Sequence, residues 1–186
     1  MILLGPPGGG KTTQAKFISR NYGIPSISMA GLLKKQFGGK VAGSKRAKKQ
    51  HAATIESGDL VSDEMANDLV GNRVAQRDAL NGFILDGYPR TAGQAKFLDR
   101  LLSERGLPAP TVLHLEVPDP VALERMKERG RADDQPEIMQ RRLEEYHAEV
   151  KAVLDWYGEG SLHRIDGTLV PKSVSSEIEK VLGNTR

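Results

Sequence analysis

The sequence predicts an α/β fold: a five-stranded parallel sheet with helices on both faces. Three observations point there. Short apolar runs alternate with amphipathic segments along the chain, the pattern of strands joined by helical crossovers. Residues 5–12 read Gly-Pro-Pro-Gly-Gly-Gly-Lys-Thr, set between the apolar run Ile2-Leu3-Leu4 and a helical stretch over 12–22. That strand, glycine loop and helix match G-x-x-x-x-G-K-[ST] in its required context. Finally, Gly82-Phe83-Ile84-Leu85-Asp86 is apolar up to its last residue, as a strand covered on both faces requires. Together these imply a P-loop NTPase fold, expected as a single domain over 1–186.

The strands are expected at 1–5, 25–28, 82–86, 111–117 and 162–166. Ser62 and Asp63 mark a helix start, with the helix running to about Leu80. Asp119-Pro120 reads as an N-cap followed by a first-turn proline. Ile138, Leu143, Tyr146, Val150, Val153, Leu154 and Tyr157 recur near helical spacing, which predicts a long helix from about Pro136 to Tyr157. Pro171 opens the last helix. Residues 29–61 contain no strand signal and read as a helical insertion between the second and third strands, with the binding insertion placed at about 28–61.

Composition narrows the class. The chain has 186 residues, 27% of them charged and 5% aromatic, with no cysteine. Disulfides and thiolate zinc sites are excluded, and a reducing cytoplasm is expected. Met1 leads directly into the first strand and no apolar run reaches membrane-spanning length, so neither a signal peptide nor a membrane is expected. Few aromatics suggest a monomer. Net charge is +3, but lysines crowd residues 34–49 and arginines crowd 125–142. Phe37 is the single aromatic among these lysines, too few to stack a run of bases, so nucleic acid is not expected there.

Each motif residue has a chemical reason. Backbone N–H groups must wrap closely round a phosphate, which favours Gly8, Gly9 and Gly10. The following helix turns its positive end to the anion. Lys11 adds a full charge, and Thr12 offers a hydroxyl to Mg²⁺. Asp86 ends a buried strand beside the loop, where it is expected to hold Mg²⁺ directly or through water. Arg90 follows Pro89 with no carboxylate partner evident in the sequence, and its planar guanidinium matches phosphate oxygens. Thr91 and Gln94 fit a capping box; alternatively, the Gln94 amide reads the edge of a purine.

These motifs resemble the adenylate kinases over nearly the whole chain. Gly5 to Ala15 follow that family's phosphate loop, with Thr12 in place of a glycine. Gly82 to Thr91 with Gln94 follow its Gly-Phe-(apolar)-(apolar)-Asp-Gly-(aromatic)-Pro-Arg-Thr motif. Gly58 to Glu64, Val117-Pro118-Asp119, Arg131 to Asp134, Arg142-Leu143 and Asp166-Gly167 fall in the family's order.

The resemblance implies Mg²⁺-dependent phosphoryl transfer from ATP to AMP. It implies ATP on Gly8, Gly9, Gly10, Lys11, Thr12, Thr13, Arg125, Arg129 and Gly167. It implies AMP on Met29, Lys34, Ile55, Asp59, Leu60, Val61, Gly87, Tyr88, Pro89, Arg90, Gln94, Arg131 and Arg142, beneath the insertion. Lys11, Arg90, Arg129, Arg131 and Arg142 would then be catalytic, compensating charge on the moving group. Helical pairing accounts for Arg125 with Glu128 and Arg141 with Glu145, and leaves Arg129, Arg131 and Arg142 for phosphate. Only Gly130 separates Arg129 from Arg131, so the lid, about 128–137, is very short and holds no zinc.

The acceptor segment departs from the family pattern. Met29, Gly31 and Lys34 stand where threonine, aspartate and arginine are expected, and Asp59 replaces a lysine. Lys34 keeps the charge without the bidentate grip, so Lys34→Arg is expected to tighten AMP binding in titration. Two other readings stay open: a kinase for another nucleoside monophosphate or small-molecule acceptor, and a nucleotide-binding regulatory or RNA-associated protein without turnover.

Overall fold

The computed structural model describes residues 1–38, 61–131 and 134–183. Five strands, β1 (Ile2–Leu4), β2 (Ser26–Ser28), β3 (Ile84–Asp86), β4 (Val112–Glu116) and β5 (Leu162–Asp166), pair in the order β2-β3-β1-β4-β5. Every pairing is parallel. The helices are α1 (Lys11–Tyr22), α2 (Met29–Gly38), α3 (Asp63–Val74), α4 (Ala92–Glu104), α5 (Asp119–Arg129), α6 (Pro136–Ser161) and α7 (Pro171–Gly183), with a 3₁₀ turn at Arg77–Ala79.

The pleat explains why the strands are apolar on both sides. Ile2, Leu4, Leu85 and Val112 join Val70 and Val74 of α3, Leu98 and Leu102 of α4 and Val153 of α6. Leu3, Ile84, Leu113, Leu115 and Ile165 join Ala15 and Ile18 of α1 and Val174, Ile178 and Leu182 of α7. Successive residues of one strand thus feed opposite layers, and the expected helices on both faces are present. Ala122 and Met126 of α5 meet Met139 and Leu143 of α6 in a smaller cluster.

This order places the site. The chain leaves β1 for β2 on one side of the sheet and leaves β3 for β4 on the other. The connections therefore diverge between β1 and β3, where Leu3 is in register with Asp86. Ligands of open parallel sheets bind outside the carboxyl ends of the strands at such a point.

The strands expected at 1–5, 25–28, 82–86 and 111–117 are each one or two residues shorter than expected, and three helix boundaries differ for identifiable reasons. The helix expected to reach Leu80 ends at Val74, because the Arg73 guanidinium grips both oxygens of Asp78 at 2.9 and 2.7 Å and turns the chain into the 3₁₀ segment. The N-cap of α5 is Pro118, which puts Asp119 in the first turn with Pro120 behind it; Asp119 instead bonds His147 of α6 at 2.8 Å. Helix α6 continues past Tyr157 to Ser161, but Gly158, at φ 54 and ψ −169, breaks its regular course. The insertion begins as the helix α2; its remainder at 39–60 lies outside the described residues.

Candidate active site

The glycine loop joins β1 to α1 at the divergence point. Gly10 sits at φ 87 as the N-cap of α1 and supplies no side-chain cap. The first N–H groups of the helix are therefore left to a ligand, the setting in which helix N-termini bind anions. Gly8 is needed for close approach: a Cβ there would lie 2.4 Å from the Ala122 carbonyl oxygen and 3.1 Å from Met126 Cγ, both on α5.

Lys11 Nζ donates to the Gly5 and Pro6 carbonyls at 2.6 and 2.8 Å, which folds its ammonium back over its own loop. Burial is the main cause lowering its pKa to about 8, with Arg90, Arg142 and Arg129 adding repulsion and Asp86 opposing it. Thr12 Oγ1 donates to Asp86 Oδ2 at 2.9 Å. The two residues expected at Mg²⁺ thus meet, although they are 74 positions apart. A hydroxyl and a carboxylate are the hard oxygen donors such a cation takes alongside phosphate and water.

A cavity of about 950 Å³ opens above this loop. Its lining includes Gly8, Gly9, Gly10, Lys11, Thr12, Thr13, Met29, Val61, Asp86, Gly87, Pro89 and Gln94. Arg90, Arg125, Arg129, Arg131, Arg142 and Gly167 line it too. Six of these residues are lysine or arginine, so the cavity favours a multiply charged anion. Among the described residues, two expected substrate residues, Tyr88 and Lys34, are absent from the lining. Tyr88 is buried and spends its hydroxyl on Asn67 Oδ1 at 2.5 Å and the Gln94 carbonyl at 3.3 Å, so its role is to hold the loop. Lys34 stands on an exposed part of α2, whereas its neighbour Leu33 lines the cavity. Met29 lies both in the core and at the cavity wall. Ile55, Asp59 and Leu60 lie outside the described residues.

The arginines are held in ways the sequence did not reveal. Arg125 does not turn to Glu128: it donates to the Gly167 and Thr168 carbonyls at 2.7 and 3.1 Å. Those carbonyls are presented by a turn in which Asp166 Oδ1 accepts from the Thr168 amide and hydroxyl. Arg129 has a carboxylate partner after all, gripping Asp134 at 3.0 and 2.5 Å, and the Arg131 amide donates to the same carboxylate. These bonds hold the Asp134 carboxyl below its usual range. Arg90 Nε donates to the Gly87 carbonyl at 3.2 Å. Arg141 lies 3.5 Å from Glu145, as helical pairing suggests.

Several lining residues escaped the sequence reading. Glu145, Tyr146, Glu149, Val150 and Val153 all face the cavity from α6. Burial raises the Glu149 carboxyl, while Arg90 opposes that shift. The apolar spacing of α6 revealed a helix; the acids at i and i+4 beside Arg142 were the available sign that its polar flank also turns inward. Gln14, buried on α1, ties that helix to α7 through the Pro171 carbonyl and the Ser175 hydroxyl. The capping box is only half formed: Thr91 Oγ1 accepts from the Gln94 amide, but Gln94 Oε1 accepts from Arg90 rather than from Thr91.

Comparison with known proteins gives a consistent result. A family model described as "Adenylate kinase" matches residues 3–162. The chain is 41% identical to "Adenylate kinase" of Rhizobium meliloti (strain 1021), over 98% of each protein. It is 39% identical to "Adenylate kinase" of Brucella ovis (strain ATCC 25840 / 63/290 / NCTC 10512), over 98% of this chain and 97% of that protein.

Proposed function

Since the chain belongs to the adenylate kinase family, we propose that it transfers the terminal phosphoryl group of ATP to AMP, giving two ADP. One observation carries this reading: the glycine loop with Lys11 and the arginines Arg90, Arg125, Arg129, Arg131 and Arg142 all line a single cavity. Phosphoryl transfer needs no protein nucleophile. It needs in-line alignment and compensation of the charge spread over the moving group.

In this proposal ATP lies on Gly8 to Thr13, with Arg125 and Gly167 beside it and Arg129 over its phosphates. AMP lies towards α2 and the 87–94 loop, with Met29, Val61, Gly87, Pro89 and Gln94 around the nucleoside. Arg90, Arg131 and Arg142 bridge the two phosphate chains. Thr12 and Asp86 would hold Mg²⁺, which supplies charge neutralisation of the phosphate oxygens. The short segment 128–137 and the insertion at 28–61 exclude water, the competing acceptor. The protein works as a monomer in the cytoplasm; no helix among the described residues is long and apolar enough to cross a membrane.

A coupled assay of ADP formation from ATP with AMP, CMP, UMP or GMP, with and without Mg²⁺, tests the reading. Mg²⁺-dependent turnover greatest with AMP is expected. Turnover greatest with another acceptor would replace adenylate kinase by a different monophosphate kinase. ATP hydrolysis unaffected by any acceptor would end the kinase reading. Light scattering on a sizing column checks the monomer.

A further inference from the structure

Asp63 opens α3, in the first turn where an acid favours the helix dipole. Yet both of its oxygens are spent on another helix. Oδ2 accepts from Thr91 Oγ1 at 2.7 Å, and Oδ1 accepts from Gln94 Nε2 at 2.9 Å. Gln94 is 3% exposed and lines the cavity. Its other end, Oε1, accepts from the Arg90 backbone N–H at 2.8 Å.

These partners leave the amide one orientation. A carboxylate only accepts and a backbone N–H only donates, so the nitrogen must face Asp63 and the oxygen must face Arg90. The usual ambiguity between the two ends of a glutamine amide is removed by chemistry. A flipped amide would set oxygen against carboxylate and N–H against N–H, leaving buried groups unpaired. After these two bonds the amide keeps one N–H and one oxygen lone pair, of fixed polarity.

That polarity matters to a purine. Adenine offers a donor at its exocyclic amine and an acceptor at the adjacent ring nitrogen, a match for an amide. A 6-oxopurine puts an acceptor at the exocyclic position and a donor at N1. An amide free to flip serves both bases; a locked one serves only one.

We infer that Asp63 is a specificity-positioning residue: by locking the Gln94 amide, it makes the acceptor site choose 6-aminopurine over 6-oxopurine monophosphates. The inference rests on the placement of Gln94 at the acceptor base in the proposed function. Gly93 is part of the device. A Cβ there would lie 2.8 Å from Asp63 Oδ2, so the carboxylate reaches Gln94 only over a residue without a side chain.

The test compares kcat/KM for AMP and IMP, with ATP as donor, in the wild type, Asp63→Asn and Gly93→Ala. The side-chain amide introduced by Asp63→Asn offers a donor as readily as an acceptor and so removes the carboxylate half of the lock, leaving only the Arg90 backbone N–H to orient the Gln94 amide. Gly93→Ala keeps the Asp63 charge but displaces its carboxylate from the α4 side, at a helical position that tolerates alanine, so it remains informative if Asp63→Asn fails to fold. The AMP:IMP ratio is expected to fall by about 5- to 100-fold in Asp63→Asn, the range a good bidentate base contact commands, and by less in Gly93→Ala. A purely structural Asp63 would lower both substrates in parallel. A wild-type preference for AMP that both variants leave intact overturns the lock alone. Wild-type turnover of AMP and IMP at equal efficiency overturns the placement of Gln94 at the base, and the lock with it.

Discussion

Lys11 shows how one side chain couples fold stability to ligand binding. Its lowered pKa means that the folded chain holds the proton less tightly than the unfolded chain. Between about pH 8 and the ordinary 10.5 this group's contribution to stability therefore rises with pH, as the cost of burying the ammonium is relieved; below about 8 that cost stands in full. In the proposed function ATP affinity runs the other way, because the polyphosphate would draw on the ammonium. Calorimetric titration at about pH 7 and about pH 9.5 should show weaker ATP binding at the higher pH, and Lys11→Met should be weak and flat over the same window. Arg142→Ala should lower kcat by about 10³–10⁵ if its guanidinium meets the transition state, a loss that single-turnover kinetics would separate from product release. The meeting of some of these residues at one cavity was legible in the sequence because they are local: the loop, Lys11 and Thr12 fall within eight consecutive positions, 5–12. The Asp63–Gln94 pair spans 31 positions, and no spacing rule connects the ends of two different helices.

Among the elements, the loop between β3 and α4 is held from behind rather than from the cavity. Tyr88→Phe removes a hydroxyl bonded to Asn67 and to the Gln94 carbonyl. It should cost about 1–2 kcal/mol, a fall in Tm of roughly 2–8 °C, by calorimetry. Leu98, fully buried where α4 meets the sheet, should cost about 2–5 kcal/mol on replacement by alanine, measured by urea unfolding. The strands and the long helix were readable because periodicity reports burial directly. The pairings of Arg125 and Arg129 were not, although the i,i+4 pair of Arg141 with Glu145 was. Arg129 finds Asp134 across a turn at i+5, and Arg125 finds carbonyls 42 and 43 positions away; neither follows the helical i,i+4 rule that sequence reasoning can apply. The end of α3 was misplaced for a similar reason, since the Arg73–Asp78 grip that closes it is a side-chain bond at i+5, outside the helical spacings, rather than a propensity.

For the molecule as a whole, a concentration of cations in one cavity makes the fold itself respond to anions. ATP at about a hundred times its Kd should stabilise the folded chain by roughly 2.7 kcal/mol, or about 5–11 °C in Tm; Lys11→Met should show much less of this shift in a thermal-melt series. The sheet order, with the phosphate loop at the divergence of its crossovers, is what brings both halves of the chain to that cavity. Gly8 then sets a dimension of the machine. With no side chain between them, the Ala122 carbonyl of α5 rests against the loop, and the same helix carries Arg125 and Arg129. The gap between the amides of the glycine loop and the guanidinium groups further along is thus gauged by a single backbone touch, like the stop on a caliper. One methyl group added at Gly8 would open the jaws.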